Sequence, residues 1–521
     1  MNKTTVAPRL PELALEWRGF SALLALYISI HFALRLAISP AIAVDDVAET
    51  IFAQNLQWSY YYRQPPLFTW LLWGAFRVFG VTVASVFLVK YALVALGYVF
   101  YYLSAREIFT DRRLVLAAAL SPSLIYTIGY GMHVGFTNTV LLTASCAATF
   151  YAFLLMTRCG AKRDYLFFGA ALAAGLLSKW GFPAFAGALI AAGLCQEPAR
   201  RRFFSPRIAL AFLPLAAIIV PFLLWGFHGG HGMGSLYRDA MRRGGGSAYI
   251  PGVLSGFSKL AVAIVEFLAP FWIFAVAVFP RAVTAAPRST AMGLSASAPS
   301  ASGMLDYRRL LEHFFIVMAA IVLIGVLAAG VTQYKSRWMH AVLILFPLYF
   351  FCRVQDAGFT ARQLKIWAGV LGATAFAVFG VLLAQGFLGY CGRCRLQAPY
   401  PELARLVAQQ GFSGGTIVAG DEHIAGNFRL VFPEARVATP VYDYYVPPGP
   451  APDAQGQCLV IWNARDGDAM PRHLPLFLEA AFGANVPDSA ARQSVAAPYR
   501  YGVKRLLSLD FVLLPGTGQC R

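Results

Sequence analysis

Three carboxylates, Asp45, Asp46 and Glu49, fall close together at the head of the stretch DDVAETIFAQNLQWSYYYRQPPLFTWLLWG, which runs from Asp45 to Gly74. A carboxylate takes the proton of an attacking hydroxyl, and does so best when its surroundings hold its pKa near the working pH. If this stretch is helical, Asp45 and Glu49 share a face at i and i+4 while Asp46 points elsewhere. The same residues also suit a structural task, with an Asp opening a short helix and further acids in its first turn favouring the dipole. Residue type alone leaves both tasks standing.

The elements around this stretch must be membrane spans. Hydrophobic residues make up 58% of the chain and charged residues only 13%, against roughly 25% charged in ordinary soluble domains. Repeated apolar runs of spanning length predict about eleven transmembrane helices, near 19–42, 82–104, 113–131, 136–157, 164–179, 181–196, 207–227, 258–280, 312–331, 337–353 and 366–388. The first run is too long for a signal-peptide core and reads as a retained span.

The net charge of +18 raises the question of nucleic acid, but its distribution answers for a membrane. With the N-terminus inside, every expected inner segment is basic, as the positive-inside tendency requires: Lys3, Arg9 and Arg18, then Arg106, Arg112 and Arg113, then Arg158, Lys162 and Arg163, then Arg200, Arg201, Arg202 and Arg207, then Arg281, Arg288, Arg308 and Arg309, then Arg353, Arg362 and Lys365. Two spans within 164–196 preserve that pattern and one would reverse it. The segments 43–81, 228–257 and everything after 388 then lie outside, and 282–304 is a Ser/Ala/Pro-rich inner linker. The run PPLFTWLLWGAFRVFG is too short to span and is expected to lie at the interface, with Trp70 and Trp73 at headgroup level.

Cations on the outer side oppose this bias, so they are snorkelling anchors or ligands for an anion. Lys179 ends an apolar run at LLSKWGF, and Lys335 and Arg337 occupy a short turn between spans. Three cations at one depth, opposite a carboxylate cluster, suit a phosphate at the bilayer surface. The segment HGGHGMGSLYRDAMRRGGG reads as a glycine-rich lid whose Arg238, Arg242 and Arg243 meet an anionic substrate. No cofactor with a definite ligand set is expected. A divalent metal stays open, since His228 and His231 form an HxxH pair but sit among glycines with nothing to fix their spacing. No GxxxxGK[ST] phosphate loop is present.

Beyond Tyr390 the pattern changes to that of a small α/β domain. PELARLVAQQG and LPLFLEAAFG read as helices, and TIVAG, QCLVIWN and RLLSLDFVLLPG as strands. Its four cysteines, Cys391, Cys394, Cys458 and Cys520, lie on the side where disulfides persist, so one or two bridges are expected; for the CGRC pair a redox or metal role remains the alternative.

An acidic pair after the first span, a short helix and then PPL with an aromatic resembles the first-loop motif of the GT-C integral-membrane glycosyltransferases. These include dolichyl-phosphate-mannose protein mannosyltransferases, aminoarabinose transferases of lipid A and galacturonosyltransferases of rhizobial lipopolysaccharide. The likeness is strongest over about 40–200, where SKWG is similar to a family Lys that ends a span. The resemblance implies that Asp45 is the general base, Asp46 the adjacent acid and Lys179 a neighbour of the donor phosphate. It also implies a polyprenyl-phosphate-linked donor and an acceptor arriving from the outer side. The chain departs from the pattern at Arg63-Gln64, where many relatives carry Glu-Lys, and at Asn138, near which many place an Asp.

The expected fold is therefore a polytopic α-helical membrane protein, 1–388, followed by an extracytoplasmic α/β domain, 389–521. The expected function is inverting transfer of a sugar from a polyprenyl-phosphate donor to an envelope glycan, lipid or protein, at the periplasmic side of a bacterial inner membrane. Asp45 and Asp46 are the catalytic candidates, Lys179, Lys335, Arg337 and Arg63 the phosphate ligands, and Glu49, Arg238, Arg242 and Arg243 line the substrate loop. Its partners are the bilayer, the lipid-linked donor and the acceptor, with no nucleic acid. A transporter or flippase of lipid-linked saccharides is the competing class; it predicts internal repeats and helices broken near mid-membrane.

Overall fold

A computed structural model describes residues 10–60, 64–228, 249–284, 305–388, 394–450, 455–466, 470–487, 489–501, 504–516 and 518–521. Among them, seven helices are long and apolar enough to cross a membrane, or up to eight if a bent pair counts as one span. That pair, Arg112–Leu124 with Tyr126–Val134, turns by 80° and covers the predicted run 113–131. Three other predicted runs form shorter helices: Lys162–Leu176, Phe182–Leu194, and the sequence His340–Leu343 then Phe346–Ala357. The chain is a multi-pass membrane protein carrying a small C-terminal sheet domain.

By packing, the chain divides into two compact units. One gathers 1–31, 92–131 and 139–376, and the regular elements of its described part are all helices. Its helices Lys162–Leu176 and Phe182–Leu194 are separated by a turn where the Ser178 hydroxyl donates to the Gly175 carbonyl at 2.6 Å. The Phe182 N–H reaches the Lys179 carbonyl at 3.0 Å, and Pro183 opens the second helix. A proline at that position cannot continue the preceding helix but is pre-set for starting the next.

The other unit gathers 32–91, 132–138 and 377–521. It contains the end of α1 (Leu10–Ile38), all of α2 (Asp45–Phe52) and α3 (Leu67–Phe79), and the start of α4 (Val83–Ile108). Its sheet comprises β1 (Gly415–Ala419), β2 (Arg436–Ala438), β3 (Gln457–Asn463), β4 (Arg492–Pro498) and β5 (Leu506–Pro515), in the order β2-β1-β3-β5-β4. β2, β1 and β3 are parallel, and β5 and β4 continue antiparallel. The continuous apolar runs in β1 and β3 are those of strands covered on both faces. Val418, Val460 and Val512 pack with the helix His473–Phe482 on one face. Ile417, Leu459 and Phe511 pack on the other with the helices Tyr400–Gln409 and Glu422–Val431. Ile51 and Phe52 of α2 belong to that second cluster, so the helix headed by the acids shares the core of the sheet domain.

Two side-chain amides seal this union. Gln54 donates to the Val437 carbonyl at 2.8 Å and accepts from the Val437 N–H at 2.8 Å, completing the edge strand β2 as a neighbouring strand would. Asn427 does the same for Ile42, accepting from its N–H at 2.8 Å and donating to its carbonyl at 3.0 Å. A disulfide joins Cys458 and Cys520; Cys394 is also disulfide-bonded, and Cys391 lies outside the described residues.

Candidate active site

α2 is enclosed on most sides, with Asp46, Val47, Glu49, Thr50, Ile51 and Phe52 buried. Against it, at Gly426, a Cβ would stand 2.8 Å from the Val47 carbonyl oxygen, so only glycine permits the approach of the two helices. The residue before α2, Val44, has φ 57° and ψ −130°, and no side chain caps the helix. Positive φ is strained for a β-branched residue and is held only by its surroundings. The acids of α2 are therefore not spent on capping it.

Each acid meets a different environment. Asp46 is 2% exposed and its carboxylate oxygens lie 2.7 and 2.9 Å from Lys90 Nζ. Burial raises the Asp46 pKa above the ordinary carboxylate value, while the facing ammonium works against that rise. Close by, Arg35 donates to the carbonyls of Ser39 at 2.8 Å and Ala41 at 2.6 Å and lies over the Phe87 ring. Glu49 is also buried, and accepts from the Thr69 hydroxyl at 2.5 Å and the Asn138 amide at 2.6 Å. Burial pushes its carboxyl up to about 7, against the pull of those two hydrogen bonds. Asp45 is half-buried, and among the described residues its carboxylate has neither a hydrogen bond nor an ion pair.

Asp45 and Glu49, one helical turn apart, open together on a cavity of about 280 Å³, and Asp46 does not line it. Tyr60, Gln64 and Thr69 contribute to its wall from the same stretch, and Arg395, Glu422, His423 and Tyr442 from the terminal residues. Asp421 caps the helix Glu422–Val431 by accepting from the N–H groups of His423 at 2.7 Å and Ile424 at 2.9 Å. That places Glu422 and His423 just past the carboxyl end of β1, where α/β sheets commonly hold ligands. Glu422 lies 3.4 Å from His423 Nδ1, whose hydrogen bond lowers the Glu422 pKa. His423 Nε2 is buried without a hydrogen-bond partner among the described residues. One guanidinium, one imidazole and three carboxylates thus surround a space suited to a small polar group.

The sequence pointed to Asp45 and Glu49 but not to Arg395, Glu422 or His423. The signal available for the last two was the strand–turn–helix run TIVAGDEHIAGNF; Arg395, beside the CGRC pair, carried none.

In the other unit, Lys179 Nζ donates to Thr139 Oγ1 at 2.6 Å. One turn along the same helix, Thr143 Oγ1 meets Nδ1 of buried His340 at 2.7 Å. Lys335 is exposed, its ammonium 5.9 Å from the Trp338 ring, and Arg337 is half-buried. Arg63, Arg238, Arg242, Arg243 and His231 lie outside the described residues, as does the side chain of His228. Among the described residues, no three His, Cys, Asp or Glu side chains are gathered so as to hold a metal ion.

The chain is similar to known proteins in sequence and in fold. Residues 63–225 match the dolichyl-phosphate-mannose-protein mannosyltransferase family. Two lipopolysaccharide core galacturonosyltransferases of Rhizobium johnstonii are similar over nearly all of their length. RgtB is 29% identical over 490 residues, 92% of this chain and 94% of its own. RgtA is 28% identical over 497 residues, with the same coverage. In fold the chain is similar to ArnT from Cupriavidus metallidurans, both bound to undecaprenyl phosphate and in the apo state. The bound form has a TM-score of 0.60 at 13% identity, covering 94% of this chain and 98% of that one. The apo form has a TM-score of 0.61 at 13% identity, covering 95% and 98%.

Proposed function

We propose that this chain, which belongs to the GT-C class of integral-membrane glycosyltransferases, moves a sugar from a polyprenyl-phosphate carrier to a hydroxyl of an envelope glycan such as the lipopolysaccharide core. The reaction takes place at the periplasmic side of a bacterial inner membrane. Residues 1–388 form the catalytic membrane domain and 389–521 the periplasmic domain that completes its first loop. The acceptor class is supported by the names of the two Rhizobium relatives, and the carrier by the undecaprenyl phosphate bound to ArnT.

The observation that carries the mechanism is the Asp45 carboxylate, without a partner among the described residues, at a cavity it shares with Glu49 and Arg395. Asp45 accepts the proton of the acceptor hydroxyl as its oxygen bonds to the anomeric carbon. The bond from that carbon to the phosphate oxygen breaks on the opposite face, and its electron pair leaves with the phosphate, so the anomeric centre inverts. Lys179, Lys335, Arg337 and Arg63 are assigned to the departing phosphate, whose growing charge they stabilise. Asp46, held by Lys90, positions α2 rather than taking the proton.

The test is transfer by purified Asp45→Asn and Lys179→Glu in lipid nanodiscs, with expression and insertion checked alongside. Asp45→Asn is expected to abolish transfer at normal protein level, and Lys179→Glu to weaken donor affinity. Full activity in Asp45→Asn sinks the mechanism. Unchanged donor affinity in Lys179→Glu returns that lysine to a membrane anchor.

A further inference from the structure

A second cavity opens just past the other end of α2. It measures about 640 Å³ and is lined by Ala53, Gln54, Trp73 and Phe76, and by three arginines, Arg77, Arg429 and Arg436. Arg77 stands in the last turn of α3, its guanidinium 5.4 Å from the Trp73 ring. Arg429 donates to the Ala435 carbonyl at 2.9 Å, and Arg436 to the carbonyls of Gln519 at 2.8 Å and Pro447 at 3.2 Å. These bonds fix the two guanidiniums in place without neutralising them.

The charge is unbalanced. Among the described residues, Glu434 is the one acid in the lining and no carboxylate lies within ion-pair distance of the three arginines. Arg77 and Glu434 act on Arg429 with opposite sign, so like charge is already set against like. Nε of Arg429, Nε of Arg436 and Nε1 of Trp73 are buried without a hydrogen-bond partner among the described residues. Three guanidinium-bearing side chains in the lining of one basic cavity suit an acceptor-rich anion.

We infer that this cavity binds an oxyanion-bearing saccharide, its phosphate or carboxylate held by Arg77, Arg429 and Arg436. A free anion is too small for the space, which falls in the range of about 300–1,000 Å³ used by small-molecule sites. Trp73 and Phe76 add aromatic, apolar surface to the lining. At about 1.5 Å per helical residue, α2 separates this cavity from Asp45 by about 12 Å, so the charged part of a glycan held here leaves room for a few sugar units reaching towards the first cavity. Calling that glycan the acceptor rests on the proposed transferase reading; the binding site itself does not.

The experiment is calorimetric titration of the full chain in nanodiscs with glucose 1-phosphate, trigalacturonic acid and neutral maltotriose. The chain is to bind at least one anionic probe and to bind maltotriose weakly or not at all. Binding of the phosphate probe names a phosphoryl group as the ligand, and binding of the uronate names a carboxylate; either supports the site. The exposed substitutions Arg77→Gln and Arg77→Glu are to weaken anion binding by about tenfold or more without lowering the thermal midpoint. Arg429→Gln adds a check from the other wall. Equal binding of maltotriose, no binding of either anion, or undiminished anion binding in both Arg77→Glu and Arg429→Gln overturns the inference. Repeating the titration with Asp45→Asn separates the two readings, because that variant loses transfer under the proposed mechanism and keeps this site.

Discussion

Glu49→Gln is the substitution whose effect the structure specifies most closely, because it changes sign with pH. The Glu49 carboxyl, held at about 7 against an ordinary 4.5 by burial, binds its proton more tightly folded than unfolded. Below about pH 4.5 both states are protonated and the group adds nothing. As pH rises the unfolded chain releases the proton first, so the protein loses stability until the folded group ionises as well, near pH 7. At 1.36 kcal/mol per pH unit, the full cost above that point is about 3 kcal/mol. Glutamine removes that cost. It keeps an oxygen for the Asn138 amide, but the Thr69 hydroxyl must reverse and accept, a loss of about 1 kcal/mol. The variant is therefore expected to be slightly less stable than the parent at pH 5 and more stable by about 2 kcal/mol at pH 8. Thermal unfolding in nanodiscs, run for both proteins from pH 5 to 9 at one scan rate, reads this directly. A stability difference that stays constant across the range refutes the burial argument for Glu49.

The Lys90–Asp46 pair is expected to behave as a buried ion pair. Lys90→Met leaves a buried carboxylate without its partner and should cost about 3–5 kcal/mol, whereas Lys90→Met with Asp46→Leu should recover most of it; equal losses in the single and double variants would deny the coupling. Replacing Cys458 and Cys520 by Ser releases a loop spanning 62 residues of sequence. The unfolding midpoint of the chain is expected to fall by the equivalent of about 4 kcal/mol in the loop-entropy account, and a reductant should mimic the substitution.

Much of the architecture was legible because membrane spans and buried strands write their environment into long apolar runs. The two helices flanking Lys179, the strands β1, β3 and β5, and the first loop as the site of the acids all follow from such runs. β2 and β4 did not stand out. β2 is only three residues long, and β4 alternates exposed and buried positions through RQSVAAP, so neither forms a sustained apolar signal. The roles of the acids were harder still. Asp45, Asp46 and Glu49 are alike in type, and what separates them is Lys90, 44 residues away, Asn138, 89 residues away, and the open cavity. The amide at Asn138 cannot act as a base, but as a hydrogen-bond donor to Glu49 it still belongs to the site. Arg395, Glu422 and His423 were out of reach because only packing of the terminal residues on α2 brings them to the cavity.

The amide clips at Gln54 and Asn427 bear on when the protein becomes active during its manufacture. They bind partners 383 and 385 residues distant along the chain. At the ribosome's pace of roughly 5–20 residues per second, the acid-bearing helix emerges about 20 seconds to more than a minute before the residues that enclose it exist. Over that interval Ile51 and Phe52 have no sheet to pack on, and the cavity around Asp45 has no far wall. A chain cut short between its last membrane helix, Ala361–Phe387, and its final strands is expected to keep its membrane helices and be inert, so truncated products would spare the proposed lipid-linked donor from transfer to water.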